Sequence, residues 1–392
     1  MSTQSPVSPQ LAQLLEYISS DAGNLPLRRD AIRAACAEGH WAVARQLLDD
    51  APAIHARDAQ LLALQGYVLL HAERYVDAEQ ALSTAIANGV QAAPVRCNLA
   101  FALFMQKRYA DALEILSAPT VLQTGPLALL LRARCLHHVG RRAEAMDDCN
   151  AYLAAVSDDV YARGLLALIL YEQGQPAAAR EQADAALRGD PHQLEALLTV
   201  ASIQADSPDP SAARGSFQAL TRIHPHCGRA WFGLALIELS ETRTDAAANS
   251  IALAATHMPE HIGTWHVMAW TEIVRGDIAA AAAAFDKALA IDRSFAETHG
   301  GLAVVAALRG EDEEARRRIK RALRLDPNAM SPHYAELLLL QREGREAEAR
   351  ELLDAVLARP TARGSTRYVD LVAAHMRRLH TEGLPATPAR YH

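Results

Sequence analysis

Aromatic residues are scarce in this sequence, and long apolar runs are missing from it. Phe, Trp and Tyr make up only 5% of the 392 residues, and this composition, rich in alanine and leucine, favours close-packed helices over β-sandwiches or barrels. No stretch reaches the roughly 18 consecutive apolar residues of a membrane span. The first ten residues, MSTQSPVSPQ, lack the basic and apolar regions of a secretory signal. We therefore expect an all-α, cytoplasmic protein without membrane insertion.

A surplus of positive charge and paired cysteines are also missing. The formal net charge is −7, which argues against a nucleic-acid partner, because phosphate binding needs an excess of Lys and Arg. The five cysteines include no C-x-x-C pair and are odd in number, which fits a reduced compartment better than a disulfide framework. They are Cys36, Cys97, Cys135, Cys149 and Cys227.

Alanine recurs along the chain at a nearly constant interval. Such a regular repeat along the chain predicts a stack of supersecondary units rather than separate domains. Eight of the ten units also carry a small residue twelve positions before the alanine, which would let two helices approach closely. The ladder alanines are Ala44, Ala78, Ala112, Ala145, Ala179, Ala213, Ala247, Ala281, Ala315 and Ala349.

Five residues before each ladder alanine lies a position at which a turn is predicted. Glycine there permits the left-handed backbone of a helix C-cap, so each unit is predicted to be a helix, a tight turn and a second helix. Prolines twelve residues after four of the alanines, at Pro191, Pro225, Pro259 and Pro327, are expected to stop the second helix. The turn positions are Gly39, Glu73, Lys107, Gly140, Gly174, Pro208, Thr242, Gly276, Gly310 and Gly344.

These residues together resemble the tetratricopeptide repeat family. The unit from Gly228 to His261 matches best, and its family positions are held by Trp231, Leu234, Ala235, Ala247, Ile251, Ala254 and Pro259. The resemblance implies an α-solenoid in which about ten antiparallel helix pairs form a right-handed superhelix over residues 25–361. An N-terminal segment, 1–24, with a helix over 7–22, would precede it, and residues 362–392 would supply a capping helix over 366–380 and a loose tail. Bends are expected near 118–126 and 206–210.

No catalytic motif is found, and the segments outside the repeats, 1–24 and 362–392, are each too short for a catalytic domain. Histidine clusters at His224, His226 and Cys227, and around Pro259, invite a metal interpretation. However, a structural zinc site usually needs a fourth ligand, and none is evident. We expect neither enzymatic activity nor a cofactor or metal.

The resemblance also implies a ligand surface on the first helices, at five positions in each unit. Eight of the chain's 20 aromatic residues fall there, about three times the number expected by chance. Aromatic side chains are favoured in binding surfaces. Packing against the neighbouring repeat would also select large apolar residues, so both explanations stay open. The predicted groove comprises Tyr67, His71, Phe101, Phe104, Arg134, His138, Tyr161, Tyr171, Phe232, His266, Trp270 and Tyr334.

Charged residues at the groove positions are nearly balanced in sign, with Arg29, Arg33, Arg134, Arg229 and Arg342 against Glu172, Glu195, Asp206 and Glu297. The leading hypothesis is therefore a scaffold or adaptor that holds a peptide or helix of a partner protein. The alternative is an accessory subunit that recruits substrate for an enzyme, such as a glycosyltransferase, a protein-modifying enzyme or a secretion machine.

Overall fold

The computed structural model describes residues 7–55, 57–122, 125–207 and 211–359, and within them every regular element is helical. The predicted all-α fold of stacked antiparallel helix pairs is confirmed. By its contacts the chain divides into two compact units, unit 1 (Met1–Ile203) and unit 2 (Gln204–His392). The boundary lies beside the segment 206–210, where the sequence departs from the repeat pattern.

Ten helix pairs follow one another along the part of the chain that the structure describes. The first helices are α2 (Leu25–Ala37), α4 (Ala59–His71), α6 (Ala93–Met105), α9 (Pro126–His138), α11 (Val160–Glu172), α13 (Leu194–Ala205), α15 (Gly228–Ser240), α17 (Ile262–Arg275), α19 (Ala296–Arg309) and α21 (Ser331–Arg342). The second helices are α3 (Trp41–Asp49), α5 (Tyr75–Ala87), α7 (Tyr109–Leu116), α10 (Arg142–Ala155), α12 (Pro176–Gly189), α14 (Ser211–Ile223), α16 (Thr244–His257), α18 (Ile278–Ile291), α20 (Asp312–Leu325) and α22 (Glu346–Leu357).

The turn between the two helices of a unit is left-handed in all nine units where it is described. Six of these positions are glycine, but Glu73, Lys107 and Thr242 adopt the same conformation, with φ of 57°, 62° and 60°. In each case the next N–H donates to the carbonyl five residues earlier, as Arg243 does to Glu238 at 2.8 Å. This is the Schellman arrangement, which satisfies the last carbonyls of the first helix and reverses the chain.

The ladder alanines form the contact between paired helices. All ten are buried, and their small side chains let the two helices approach. Where the partner position is Gly66, a Cβ atom would lie only 2.4 Å from Leu82 Cγ. The predicted proline stops are also confirmed, because α12, α14, α16 and α20 each end two residues before a proline.

A recurring hydrogen bond fixes the loop before three first helices of unit 2. Trp231 Nε1 donates to Pro225 O at 2.8 Å, and Trp265 Nε1 donates to Pro259 O at 2.7 Å. One repeat later, His299 Nε2 lies 2.9 Å from Arg293 O, which identifies it as the protonated ring nitrogen. The bulky position of the repeat therefore holds the connecting loop as well as filling the core.

The chain is least regular at its start and near residue 118. An additional helix, α1 (Pro9–Ser20), lies within the predicted range and contributes Leu11 and Ile18 to the first core cluster. The helix α7 has only eight residues, and a single extra turn, α8 (Pro119–Leu122), follows it and buries Val121. The capping helix predicted over 366–380 lies outside the described residues.

Candidate functional site

Three clusters of aromatic rings in unit 1 recur with the period of the repeat. The ring centroids of Trp41 and Tyr67 are 5.7 Å apart, and those of Tyr75 and Phe101 are 6.4 Å apart. In the third cluster Tyr109 stacks on His138, with centroids 4.1 Å apart and planes 3° apart. We call this surface the aromatic strip, defined by Trp41, Tyr67, His71, Tyr75, Phe101, Phe104, Tyr109 and His138.

The turn between the two helices of a unit explains the positions of three members of the aromatic strip. Trp41, Tyr75 and Tyr109 are each the first residue of a second helix, directly after the turn. Their rings contact the first helix of the next repeat, where the groove residues lie. These three residues are not among the predicted groove residues. Their recurrence at the same position of three successive repeats is the signal that would have found them.

The rings of the aromatic strip are packed on one side and open to solvent on the other. Tyr67 remains 41% exposed and Phe101 38% exposed although both contact a neighbouring ring. His71 and His138 are exposed, and Phe104 is half-buried. Packing against the adjacent repeat therefore accounts for part of the Tyr67 and Phe101 rings and leaves the rest of each ring exposed to solvent. Because contacts with a neighbour restrict ring motion, binding would order few additional degrees of freedom.

In the C-terminal part of unit 1, the contacts between repeats are polar, in contrast to the ring clusters of the aromatic strip. Arg134 reaches past the helix α11 and forms an ion pair with Glu195, with 3.3 Å between Nη1 and Oε1. His137 Nε2 and Arg142 Nε lie 3.1 and 2.8 Å from Glu172 Oε2. Among the other predicted groove residues, Tyr171 packs against the core cluster, whereas Tyr161 is 55% exposed.

Several other charged groove positions also link successive repeats. Arg29 pairs with Asp58, and Arg342 pairs with Asp312. Glu297 accepts hydrogen bonds from the backbone N–H groups of Met330 at 2.6 Å and Ser331 at 2.9 Å, which fixes the start of α21. These charges therefore already serve the fold.

In unit 2 the predicted groove residues lie in two environments. Phe232 contacts His261 edge to face, with centroids 5.4 Å apart. His266 lies deeper, between Phe285 and Phe295, and its Nε2 is 2.8 Å from Thr298 Oγ1. Burial lowers the pKa of His266 to about 4, although the Glu297 carboxylate acts in the opposite direction.

Trp270 and Tyr334 line an apolar pocket at the C-terminal end of the described residues. Their ring centroids are 5.9 Å apart. The pocket, of about 380 Å³, is otherwise lined mainly by α21 and α22, including Leu337, Leu353 and Val356. A volume of this size accommodates a few large apolar side chains.

Two buried cysteines and the search for metal-binding groups describe the titratable residues of the structure. Burial raises the pKa of the Cys135 and Cys149 thiols to about 12, which keeps them protonated. Across the described part of the chain, no group of three or more His, Cys, Asp or Glu residues could hold a metal ion. Within the same residues no helix is long and apolar enough to cross a membrane.

Comparisons with known proteins agree with this architecture. Two family profiles described as "Tetratricopeptide repeat" match, one at residues 274–339 and the other at 153–193, 165–220 and 201–259. A search of curated proteins finds no match. Residues 153–259 and 274–339 therefore match the tetratricopeptide repeat family.

Solved structures similar to this chain are distant from it in sequence, and the first two below share its fold. Human IFIT1, as a dimer with m7Gppp-AAAA, is 15% identical at a TM-score of 0.55, covering 97% of this chain and 96% of its own. The APC/C hetero-tetramer Cut9–Hcn1 is 14% identical at a TM-score of 0.51, covering 96% and 87%. A tetratricopeptide repeat protein from Parabacteroides merdae is 18% identical at a TM-score of 0.47, covering 60% and 93%.

Proposed function

We propose that this protein is a non-catalytic scaffold that binds an apolar segment of a partner protein on the aromatic strip. The observation that carries the proposal is the partial exposure of Tyr67 and Phe101 at equivalent positions of adjacent repeats. Side chains of this kind, half-packed and half-open, supply much of the binding energy in protein interfaces. The tetratricopeptide repeat fold itself is typical of interaction scaffolds.

The spacing of the strip suggests the form of the partner segment. Neighbouring helices pack about 10 Å apart, so the three ring clusters should repeat at about that interval. A polyproline II segment rises about 3.1 Å per residue with three residues per turn, so it would place an apolar side chain there every third residue. A helix rises about 1.5 Å per residue and would use every seventh. A segment with one of these periods would fit the strip.

The distribution of charge supports a protein partner over a nucleic acid. The net charge is −7, and groove arginines such as Arg29, Arg134 and Arg342 already pair with carboxylates of other repeats. A nucleic-acid partner would require unpaired cations along its path. The proposal includes a cytoplasmic location, which five free cysteines support.

The proposal is tested by removing the two exposed rings from the full-length protein. The double variant Tyr67→Ala/Phe101→Ala should weaken partner binding by roughly 30-fold to 1,000-fold, because one interface anchor commonly contributes about 2 kcal/mol and two contribute up to about 4 kcal/mol. The matched control is Tyr17→Ala/Val76→Ala, which removes exposed apolar surface of unit 1 outside the strip. Affinity purification from the native host, quantified by mass spectrometry, reads out binding.

Equal recovery of the same proteins with both double variants would refute the strip as a binding surface. Urea unfolding of both variants establishes that the fold is intact. The same purification addresses the accessory-subunit alternative, since it would recover one enzyme in stoichiometric amount. In that case the strip would be the surface that holds the enzyme or its substrate.

A further inference from the structure

A groove in unit 2 is lined by α20 and α21 and has a volume of about 450 Å³. Its floor is apolar and is formed by two residues from each helix, Ile319, Leu323, Leu339 and Leu340. Three bases of α20 recur at every fourth residue, so they stand along one face of that helix over about 12 Å. We call this surface the basic groove, after the three bases that line it, Arg316, Lys320 and Arg324.

Two of these bases have no acidic partner within the described part of the chain. Arg316 pairs with Glu343, just after α21. Lys320 and Arg324 are exposed and form no ion pair with any described residue. Glu336 also lines the groove, but it lies within ion-pair distance of neither. The basic groove therefore keeps two cations that no ion pair neutralises.

Packing of the stack does not require a base at the position of Lys320. This residue stands five positions after the ladder alanine Ala315, and no other repeat has a base there. The comparable groove of unit 1, of about 420 Å³, contains Asp49 at that position, and its two arginines and two aspartates balance in charge. Three further repeats also carry aspartate there, namely Asp184, Asp286 and Asp354. The positive charge of the basic groove therefore indicates a ligand rather than a need of the fold.

The spacing of the two unpaired bases indicates the form of that ligand. Lys320 and Arg324 are one helical turn apart, about 6 Å along the axis of α20. Carboxylates four residues apart on a partner helix have the same separation, and apolar residues on the adjacent face of that helix would reach the floor. An acidic amphipathic helix is thus complementary to the groove in charge and in polarity. Residues 360–392 of this chain carry five arginines against two acids, so their charge does not suit it.

We propose that the basic groove binds an acidic amphipathic helix of a partner protein. Its carboxylates pair with Lys320 and Arg324, and its apolar side chains lie against Leu323 and Leu339. The inference goes beyond the proposed function, because the basic groove lies in unit 2 and shares no residue with the aromatic strip. Loss of binding at one surface therefore leaves binding at the other unchanged.

Fluorescence anisotropy with the full-length protein tests the inference. The probe is a fluorescein-labelled, alanine-based helical peptide with Glu at every fourth residue and Leu on the adjacent face. Lys320→Glu/Arg324→Glu should weaken its binding by roughly tenfold or more, because two attractions become repulsions. The matched control Arg317→Glu/Arg321→Glu makes the same charge change at exposed sites of α20 that do not line the groove. At physiological salt it should weaken binding by less than about threefold.

Two altered probes separate the charge from the floor. Replacing each Glu by Gln, or each Leu by Ser, should weaken binding to the unmodified protein by roughly tenfold in either case. Circular dichroism establishes that both double variants keep their helices. Failure of the original probe to bind, or an equal effect of the two double variants, would overturn the inference. Equal binding of the probe without leucine would also overturn it, since the floor would then contribute nothing.

Two other occupants are recognised by the same variants. A labelled oligouridylate that binds more tightly than the peptide, and is lost in Lys320→Glu/Arg324→Glu, would assign the groove to a nucleic acid instead. Dimerisation of the unmodified protein in analytical ultracentrifugation, abolished by that variant and kept in the control, would identify a second copy of this chain as the occupant. Either result would overturn the inference of a separate acidic partner.

Discussion

Replacing Thr242 by glycine should stabilise unit 2. Thr242 is a β-branched residue with φ of 60° at the turn between α15 and α16, a conformation that costs an L-residue about 1–2 kcal/mol. Glycine adopts it without strain but loses about 0.5–1 kcal/mol more conformational entropy on folding. The hydroxyl bonds only the neighbouring Glu241 carbonyl at an exposed site, so its loss changes little. The free energy of unfolding should therefore rise by about 0.5–1 kcal/mol.

Urea unfolding followed by tryptophan fluorescence measures this gain. Three of the four tryptophans, Trp231, Trp265 and Trp270, lie in unit 2, so the signal reports mainly on that unit. With a denaturant slope of about 2 kcal/mol per molar, the midpoint of Thr242→Gly should rise by roughly 0.3–0.5 M. The slope itself should not change.

Gly276→Ala makes the reverse change, from glycine to an L-residue, at the equivalent turn position. Gly276 occupies the same turn position one repeat later, with φ of 84°, and an added Cβ atom would meet nothing within 4 Å. Its cost is therefore backbone strain alone, about 1 kcal/mol, and the midpoint should fall. If both variants shift the midpoint in the same direction, or neither does, the left-handed turn is not the conformation of this position.

Two further predictions concern a contact in unit 1 and a buried histidine in unit 2. Gly164→Ala should destabilise unit 1 by roughly 1–2 kcal/mol, although alanine has the better helix propensity. The added Cβ would lie 2.1 Å from Oε1 of the buried Gln193. This oxygen accepts the hydrogen bond from the Ala196 N–H that caps α13, so its displacement would cost the cap. The control Gly215→Ala, in open space on α14, should stabilise by about 0.5–1 kcal/mol, and a stabilised Gly164→Ala would disprove the clash. His266 has a folded pKa of about 4, below its ordinary value of 6.5, so its neutral form stabilises the fold above pH 6.5 and this contribution is lost as the pH falls toward 4. Between pH 6.5 and pH 4 the free energy of unfolding of the unmodified protein should fall by about 3 kcal/mol more than that of His266→Phe. Parallel profiles of unfolding free energy against pH for the two proteins would refute the assignment.

The repeat could be predicted from the sequence because its determinants are local and periodic. Ladder alanines and turn positions recur once in every unit, prolines recur in several, and each acts on its own helix pair. Even the turns without glycine were located, since Glu73 and Lys107 stand in register with the glycines of other units. The short turn α8 was missed because a single unit carries it, so no repeat could reveal it.

The site could be predicted only in part, because contacts between repeats depend on the directions of particular side chains. Arg134 and Glu195 are 61 residues apart and meet across an intervening helix, which no short motif encodes. Glu297 occupies a groove position yet fixes the start of α21. Periodicity predicts which positions recur on the first helices, but it does not tell which of their side chains already have a partner.

Site-specific cross-linking tests the central claim most directly. A photoreactive p-benzoylphenylalanine replaces Phe101, on the aromatic strip, or Tyr17, which is 50% exposed on α1. If the aromatic strip binds the partner, the variant at position 101 captures a partner segment carrying apolar residues at the third- or seventh-residue period, and the variant at position 17 does not. Capture of the same partner from position 17 alone would contradict that claim.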